Sequence, residues 1–196
     1  MALIPVPPGQ VAAVLTRLEM RAPPPRRPLP PSALRLERWR APDSARYRAL
    51  FKRIGTPWLW FSRLALPDAD LRRILDDPAV EVSAAVDPHG VEVGFLELDF
   101  RGDSARADLS YFGLVPELVG QGHGGWLMAH ALAMLWRPGV RTVTVSTCSL
   151  DHPRALGFYR HHGFVPVSRS LESFPDPRLA GLLDRAAAPH VPVIGG

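Results

Sequence analysis

The residues from Leu114 to Gly125 read Leu-Val-Pro-Glu-Leu-Val-Gly-Gln-Gly-His-Gly-Gly. Glycine lets a backbone approach a ligand closely and leaves N–H groups pointing outward. Between a strand and a helix, such a loop adds the positive end of the helix dipole to those N–H groups. That combination suits a pyrophosphate. The Walker pattern needs Gly-Lys-Ser/Thr and is absent. The dinucleotide pattern needs a parallel strand–turn–helix near the start of a sheet, with an acid about 20 residues further on. A purely structural turn is the other reading.

Tyr159 lies four residues before Gly163, near the end of a short helical stretch. A phenol can protonate a leaving thiolate. The alternative is a ring packed on the core beside Phe158 and Phe164. Three acids form a second constellation. If a hairpin turns over Arg101–Ser104, Phe100 faces Ala105 and Glu97 faces Asp108, which puts Glu97, Asp99 and Asp108 on one face. Close carboxylates raise one another's pKa and attract a cationic amine; a solvated polar face is the bland alternative. Cys148 with His152 nearby invites a nucleophile reading, against which stands a small buried residue at a strand end. The histidines show no zinc-type grouping, so no metal is expected.

The elements that must position these groups follow from periodicity and punctuation. Val11–Met20 fits a helical stripe through Val11, Val14, Leu15 and Leu18, and equally a β-branched strand. Ala22–Pro31 is proline-rich and must be extended. Leu34, Leu36 and Trp39 give a strand, and Asp43 or Ser44 caps a helix through Arg53. Gly55–Phe61 is an aromatic loop whose Trp58, Trp60 and Phe61 can pack as core or as a homodimer contact. A helix is expected at Asp68–Leu75. Strands are expected at Val80–Val86, Val91–Phe100 and Ala107–Val115, as an antiparallel meander. The glycine loop opens a helix that stops at Arg137–Gly139. Arg141–Thr147 is a strand, Asp151 caps a helix with Pro153 in its first turn, and Phe164–Val167 is a strand. A helix at Arg178–Ala187 and a Pro/Gly tail follow. The expected class is α/β (α+β): a mixed, mostly antiparallel sheet flanked by helices.

Composition sets the limits. The chain has 196 residues, 46% of them hydrophobic and 21% charged, enough for one domain with a core of its own. One cysteine excludes a disulfide framework and a cysteine-based zinc site. No apolar run approaches the ~20 residues of a membrane span, and the N-terminus lacks a signal-peptide layout, so a cytoplasmic protein is expected. All but one of the 23 basic residues are arginine. Residues 1–53 hold ten arginines and Lys52 against Glu19, Glu37 and Asp43, a balance of +8; residues 54–196 are net −4. A basic front is compatible with nucleic acid, but it is proline-rich with few aromatics beyond Trp39, which disfavours that partner.

Two motifs carry a family resemblance. Pro116-Glu-Leu-Val-Gly-Gln-Gly-His-Gly124 resembles the acetyl-CoA-binding motif of the GNAT N-acetyltransferases, Arg/Gln-x-x-Gly-x-Gly/Ala. Ala155-Leu-Gly-Phe-Tyr-Arg-His-His-Gly-Phe164 resembles that superfamily's Ala-x-x-x-Tyr-x-x-x-Gly-Phe segment. The resemblance divides the chain into an N-terminal segment at 1–32, a GNAT-like domain at 33–170, and a C-terminal helix and tail at 171–196. It implies acetyl-CoA as co-substrate and the amine of a small molecule or peptide as acceptor. It implies that Phe112, Gly113 and Leu114 hold the acetyl carbonyl and pantetheine arm. Gly120, Gln121, Gly122, His123, Gly124 and Gly125 would hold the pyrophosphate, and Tyr159 would be the acid. Asp108 stands where some relatives carry a glutamate base, with Glu97 as the longer reach. The face they share with Asp99 suits a cationic amine acceptor. Because superfamily acceptors bind near the first two helices, the resemblance implies that Trp58, Trp60 and Phe61 line its pocket. Two positions depart from the pattern: Val119 replaces the opening Arg/Gln, and His152 stands where an asparagine contacts the CoA arm. Both favour the alternative of a non-catalytic acyl-CoA-binding module.

Overall fold

In a computed structural model that describes residues 3–25 and 27–195, the apolar runs at the centre of the chain become strands with both faces covered. Strands β1 (Gln10–Met20), β2 (Arg35–Trp39), β3 (Val80–Val86), β4 (Glu92–Asp99), β5 (Arg106–Leu114), β6 (Thr142–Cys148) and β7 (Val165–Pro175) form one sheet in the order β2-β3-β4-β5-β6-β1-β7. Every neighbouring pair is antiparallel except β5 with β6. The helices are α1 (Ser44–Gly55), α2 (Ser62–Ala65), α3 (Asp68–Leu75), α4 (His123–Leu135) and α5 (Ala155–His161). This is the expected mixed sheet flanked by helices. Among the described residues, no helix is long and apolar enough to cross a membrane.

The ambiguous segment Val11–Met20 is strand β1, held between β6 and β7. Its residues Leu18 and Met20 enter the main core; Val11 and Ala13 enter a second cluster with Leu59, Leu150, Leu183 and Ala187. The main core joins Tyr47, Leu50, Phe51 and Ile54 of α1, Leu71 and Leu75 of α3, and Leu127, Met128, Ala131 and Leu135 of α4 to the central strands. Burial of these apolar side chains is the main favourable term.

Several local expectations are corrected. Asp43 precedes α1 without a side-chain cap. A short helix, α2, follows the aromatic loop. Strand β7 runs to Pro175, well past Val167. No helix forms at 178–187; the segment is a chain of turns. Arg178 organises it: it is buried, pairs with Asp176 at 2.7 Å, and donates to the carbonyls of Ala187 and Val191 at 3.1 and 2.8 Å.

The basic front packs on the acidic body. Arg38 pairs with Glu81 at 3.1 Å, Arg46 with Glu92, and Arg48 with Asp68 at 3.9 Å. The proline-rich arm includes Arg26, which lies outside the described residues. Its end is anchored at the glycine loop, where the Ser32 hydroxyl meets His123 Nδ1 at 2.9 Å.

Candidate active site

The ladder between β5 and β6 is short. It pairs Arg106 with Thr142 through Leu109 with Val145, and then stops. β5 continues to Leu114 and β6 to Cys148, so the strands part and, among the described residues, the backbone of Ser110–Leu114 has no partner on that side. A cavity of about 1090 Å³ opens there. Phe112, Gly113, Leu114, Gly120, Gly122, Gly124, Gly125, His152, Tyr159, Trp58 and Trp60 all line it. Gln121 and His123 are outside its lining. The Gln121 side chain donates to the Glu117 carbonyl at 2.7 Å, and His123 is engaged by Ser32.

At the glycine loop, Gly120 and Gly122 have φ of +88° and +89°, where an L side chain is strained. The N–H groups of Gly120, Gly122, His123 and Gly124 find no protein acceptor among the described residues. They stand at the start of the thirteen-residue helix α4. Orphan donors at a helix N-terminus fit a phosphate group. Arg154 lies beside them; its Nη2 is 3.3 Å from where a Cβ on Gly120 would stand. The cavity therefore has an anion-binding end supplied mainly by backbone, where Val119 removes no backbone group.

Tyr159 is 8% exposed, with its ring against Phe112, Phe158 and Phe164. Burial, and then the charge of Asp151, push its phenol well above the ordinary value. It stays protonated at any working pH, as a proton donor must. Asp151 does not cap α5. Its Oδ2 accepts the Thr147 hydroxyl at 2.7 Å and the Cys148 N–H at 2.9 Å. Cys148 is pushed up to about 11 by burial and by Asp151, which removes the thiolate a nucleophile needs. His152 Nδ1 accepts the Arg154 N–H at 3.1 Å, and burial and Arg154 hold its pKa below the usual histidine value.

The hairpin register differs from the expected one. Asp99, not Glu97, faces Asp108, already two residues from the expected pairing, and a further shift between Glu97 and Leu98 leaves Ser110 as an extra residue on β5 and puts Glu97 opposite Tyr111. Glu97 is fully buried, accepting from Tyr47 and, at 2.6 Å, from Arg63. Asp99 pairs with Arg101, and Asp108 accepts from Thr144 at 2.5 Å and Ser110 at 2.9 Å. None of the three lines the cavity. The carboxylates that do are Asp151 and Glu172. Sequence reading missed both: Asp151 looks like a helix cap, and Glu172 lies in a polar stretch without periodicity.

The aromatic loop closes the other end. Trp60 packs on Phe51 and Tyr111, Phe61 stacks on Phe174 at 4.7 Å, and Trp58 meets His152 edge-on at 5.2 Å. Ser62 bonds the Tyr111 hydroxyl.

Residues 47–164 match the acetyltransferase (GNAT) family. No curated protein matches the chain. Among solved structures, a GNAT-family protein from Novosphingobium aromaticivorans is similar with a TM-score of 0.58 and 16% identity, covering 87% of this chain and 68% of that one. A tandem GNAT protein of the clavulanic acid biosynthesis pathway is similar with a TM-score of 0.56 and 20% identity, covering 82% of this chain; the chain spans 53% of that protein's length. An aminoglycoside acetyltransferase from an uncultured soil metagenomic sample has a TM-score of 0.53 and 21% identity, covering 66% and 87%. At such identities these likenesses show the fold. The family match spans more than half of the chain and includes the parted strands, the glycine loop and Tyr159, so the chain belongs to the GNAT acetyltransferase family.

Proposed function

We propose that the protein is an N-acetyltransferase that moves an acetyl group from acetyl-CoA to a primary amine by direct attack within a ternary complex. The observation that carries this is the single cavity in which unpaired β5 backbone, the orphan N–H groups of the glycine loop and the Tyr159 phenol meet. Acetyl-CoA supplies the activated acyl group. The glycine loop and the start of α4 hold its phosphates, and Phe112, Gly113 and Leu114 orient the thioester through backbone groups on the parted edge. Backbone N–H groups aimed at a developing oxyanion are worth far more once bound substrates displace water than in water itself. Tyr159 protonates the departing sulfur.

The alternative is a CoA-binding module without turnover. His152 supports it, because Nδ1 is already held by the chain's own Arg154 N–H.

The test is thiol release from acetyl-CoA by the whole chain, over amines, polyamines, amino acids, aminoglycosides and peptides. Amine-dependent release is the expected result. CoA bound by mass spectrometry with no release across the panel would establish the binding module instead.

A further inference from the structure

Asp151 and Glu172 are the only acids that line the cavity among the described residues, and they differ in commitment. Both Asp151 oxygens are used: Oδ2 takes Thr147 and Cys148, and Oδ1 takes the Trp60 Nε1–H at 3.4 Å. Glu172 stands on β7 opposite Ala13. It is half-buried, yet has no hydrogen bond and no ion pair among the described residues. A carboxylate withdrawn from water without a partner is costly. Among the described residues, the one arginine or lysine lining the cavity is Arg154, and it lies at the glycine loop. Phe174, two residues along β7 from Glu172, stacks on Phe61 of the aromatic loop, so this part of the lining joins a carboxylate unpaired among the described residues to aromatic faces. Both attract a cation, and the aromatic faces also favour an apolar body attached to it.

Resting on the acetyltransferase reading, we propose that Glu172, with Asp151 behind it, is the ammonium subsite and proton acceptor, and that the acceptor is a primary amine on an aromatic or apolar body. The Glu172 carboxylate takes one proton from the bound ammonium. The freed nitrogen lone pair forms the C–N bond to the thioester carbonyl carbon, and the C–S bond breaks with its electron pair on sulfur. Tyr159 gives sulfur its proton and regains one from the nitrogen; Glu172 returns its own to solvent. Burial and Asp151 raise the Glu172 pKa, which strengthens it as a base. The titratable groups that face it are Asp151 from the turn before α5 and Cys148 from β6; its β1 neighbour Ala13 has none.

The experiment titrates the CoA-loaded whole chain with 2-phenylethylamine and with its neutral counterpart 2-phenylethanol, followed by tryptophan fluorescence, which Trp58 and Trp60 report. The amine should bind at least tenfold more tightly than the alcohol. Glu172→Gln should abolish that difference, and Glu172→Asp should restore part of it. Equal affinity of the two ligands for the natural chain, or a Glu172→Gln chain with unchanged amine affinity, overturns the subsite. Thiol release is measured separately. Amine bound without release defeats acetyl transfer and leaves the subsite standing. Release with unchanged kcat, KM and pH profile in Glu172→Gln defeats the proton-acceptor role.

Discussion

Trp60 closes on Gly113. A Cβ at Gly113 would stand 3.2 Å from the edge of the Trp60 ring and 2.6 Å from Ile54 Cγ2. The missing side chain lets the aromatic loop lie against the parted edge of β5, at the point where the thioester is proposed to bind. Gly113→Ala must displace Trp60 or Ile54. Overpacking of this kind costs about 1–3 kcal/mol. It should also break the Trp60–Asp151 contact. Thermal unfolding should show the lower stability, and thiol release should fall more than CoA affinity does. A variant as active as the natural chain would show that the loop need not seat there.

The buried pair of Glu97 and Arg63 holds the floor under that loop. Glu97 also accepts from Tyr47, and Arg63 lies over the Tyr111 ring at 5.1 Å. Burial and then Glu97 raise the Tyr47 pKa, so its hydroxyl remains a donor. Glu97→Ala strands the Tyr47 hydroxyl and leaves Arg63 unpaired, at a cost of about 3–5 kcal/mol. Glu97→Gln keeps one carbonyl oxygen to accept from Arg63, while the Tyr47 hydroxyl can turn to accept from the new amide N–H, so it should cost less. Urea unfolding of the two variants measures the difference; equal losses would mean that the charge, not the hydrogen bonds, dominates.

How much of this was legible in the sequence depends on range. The helix at Asp68–Leu75 and the strand at Val80–Val86 form as read, because their periodicity and flanking turns are local. The glycine loop and Tyr159 were visible for the same reason. The outcome at Val11–Met20 was not, since two periodicities fit and the choice is made by β6 and β7 from far along the chain. The far half of β7 is mostly exposed, so no apolar alternation announces it. The hairpin pairs Asp99 with Asp108 and the extra residue Ser110 adds one more step of offset, with no sign of either in composition. Asp151 and Glu172 meet only through the fold, so no spacing rule joins them. The arginine-rich front, which composition alone leaves open to nucleic acid, is in part neutralised by Glu81, Glu92 and Asp68.

Cys148 should be a poor nucleophile despite lining the cavity. Its pKa of about 11 leaves roughly one thiol in a thousand ionised at pH 8, about two orders of magnitude below an ordinary cysteine. Alkylation by iodoacetamide should be correspondingly slow and should keep rising with pH up to about 11. Asp151→Asn removes one of the three raising causes, which are burial, Asp151 and Glu172, and should speed it. The linkage has a definite sign. A thiol pKa raised by folding contributes stability that is complete below the unfolded value and is lost as pH rises above 9. Rapid labelling at pH 8 would mean that Asp151 does not govern the thiol.

Tyr159→Phe isolates the acid. The Tyr159 hydroxyl makes no hydrogen bond to protein among the described residues, and the ring's contacts with Phe112 and Phe164 survive its removal. Stability should therefore change by less than about 0.5 kcal/mol, and CoA affinity should hold. Turnover should fall by roughly 10²–10⁴, the usual contribution of a positioned acid. The pH profile adds a second reading. Because burial and Asp151 keep the phenol protonated well above its ordinary range, the natural chain should show no loss of activity from tyrosine ionisation between pH 7 and about 10. A basic limb near 10 that disappears in Tyr159→Phe would contradict the buried phenol. Unchanged turnover in the variant would take the proton transfer away from Tyr159 and leave solvent or the attacking amine to supply it.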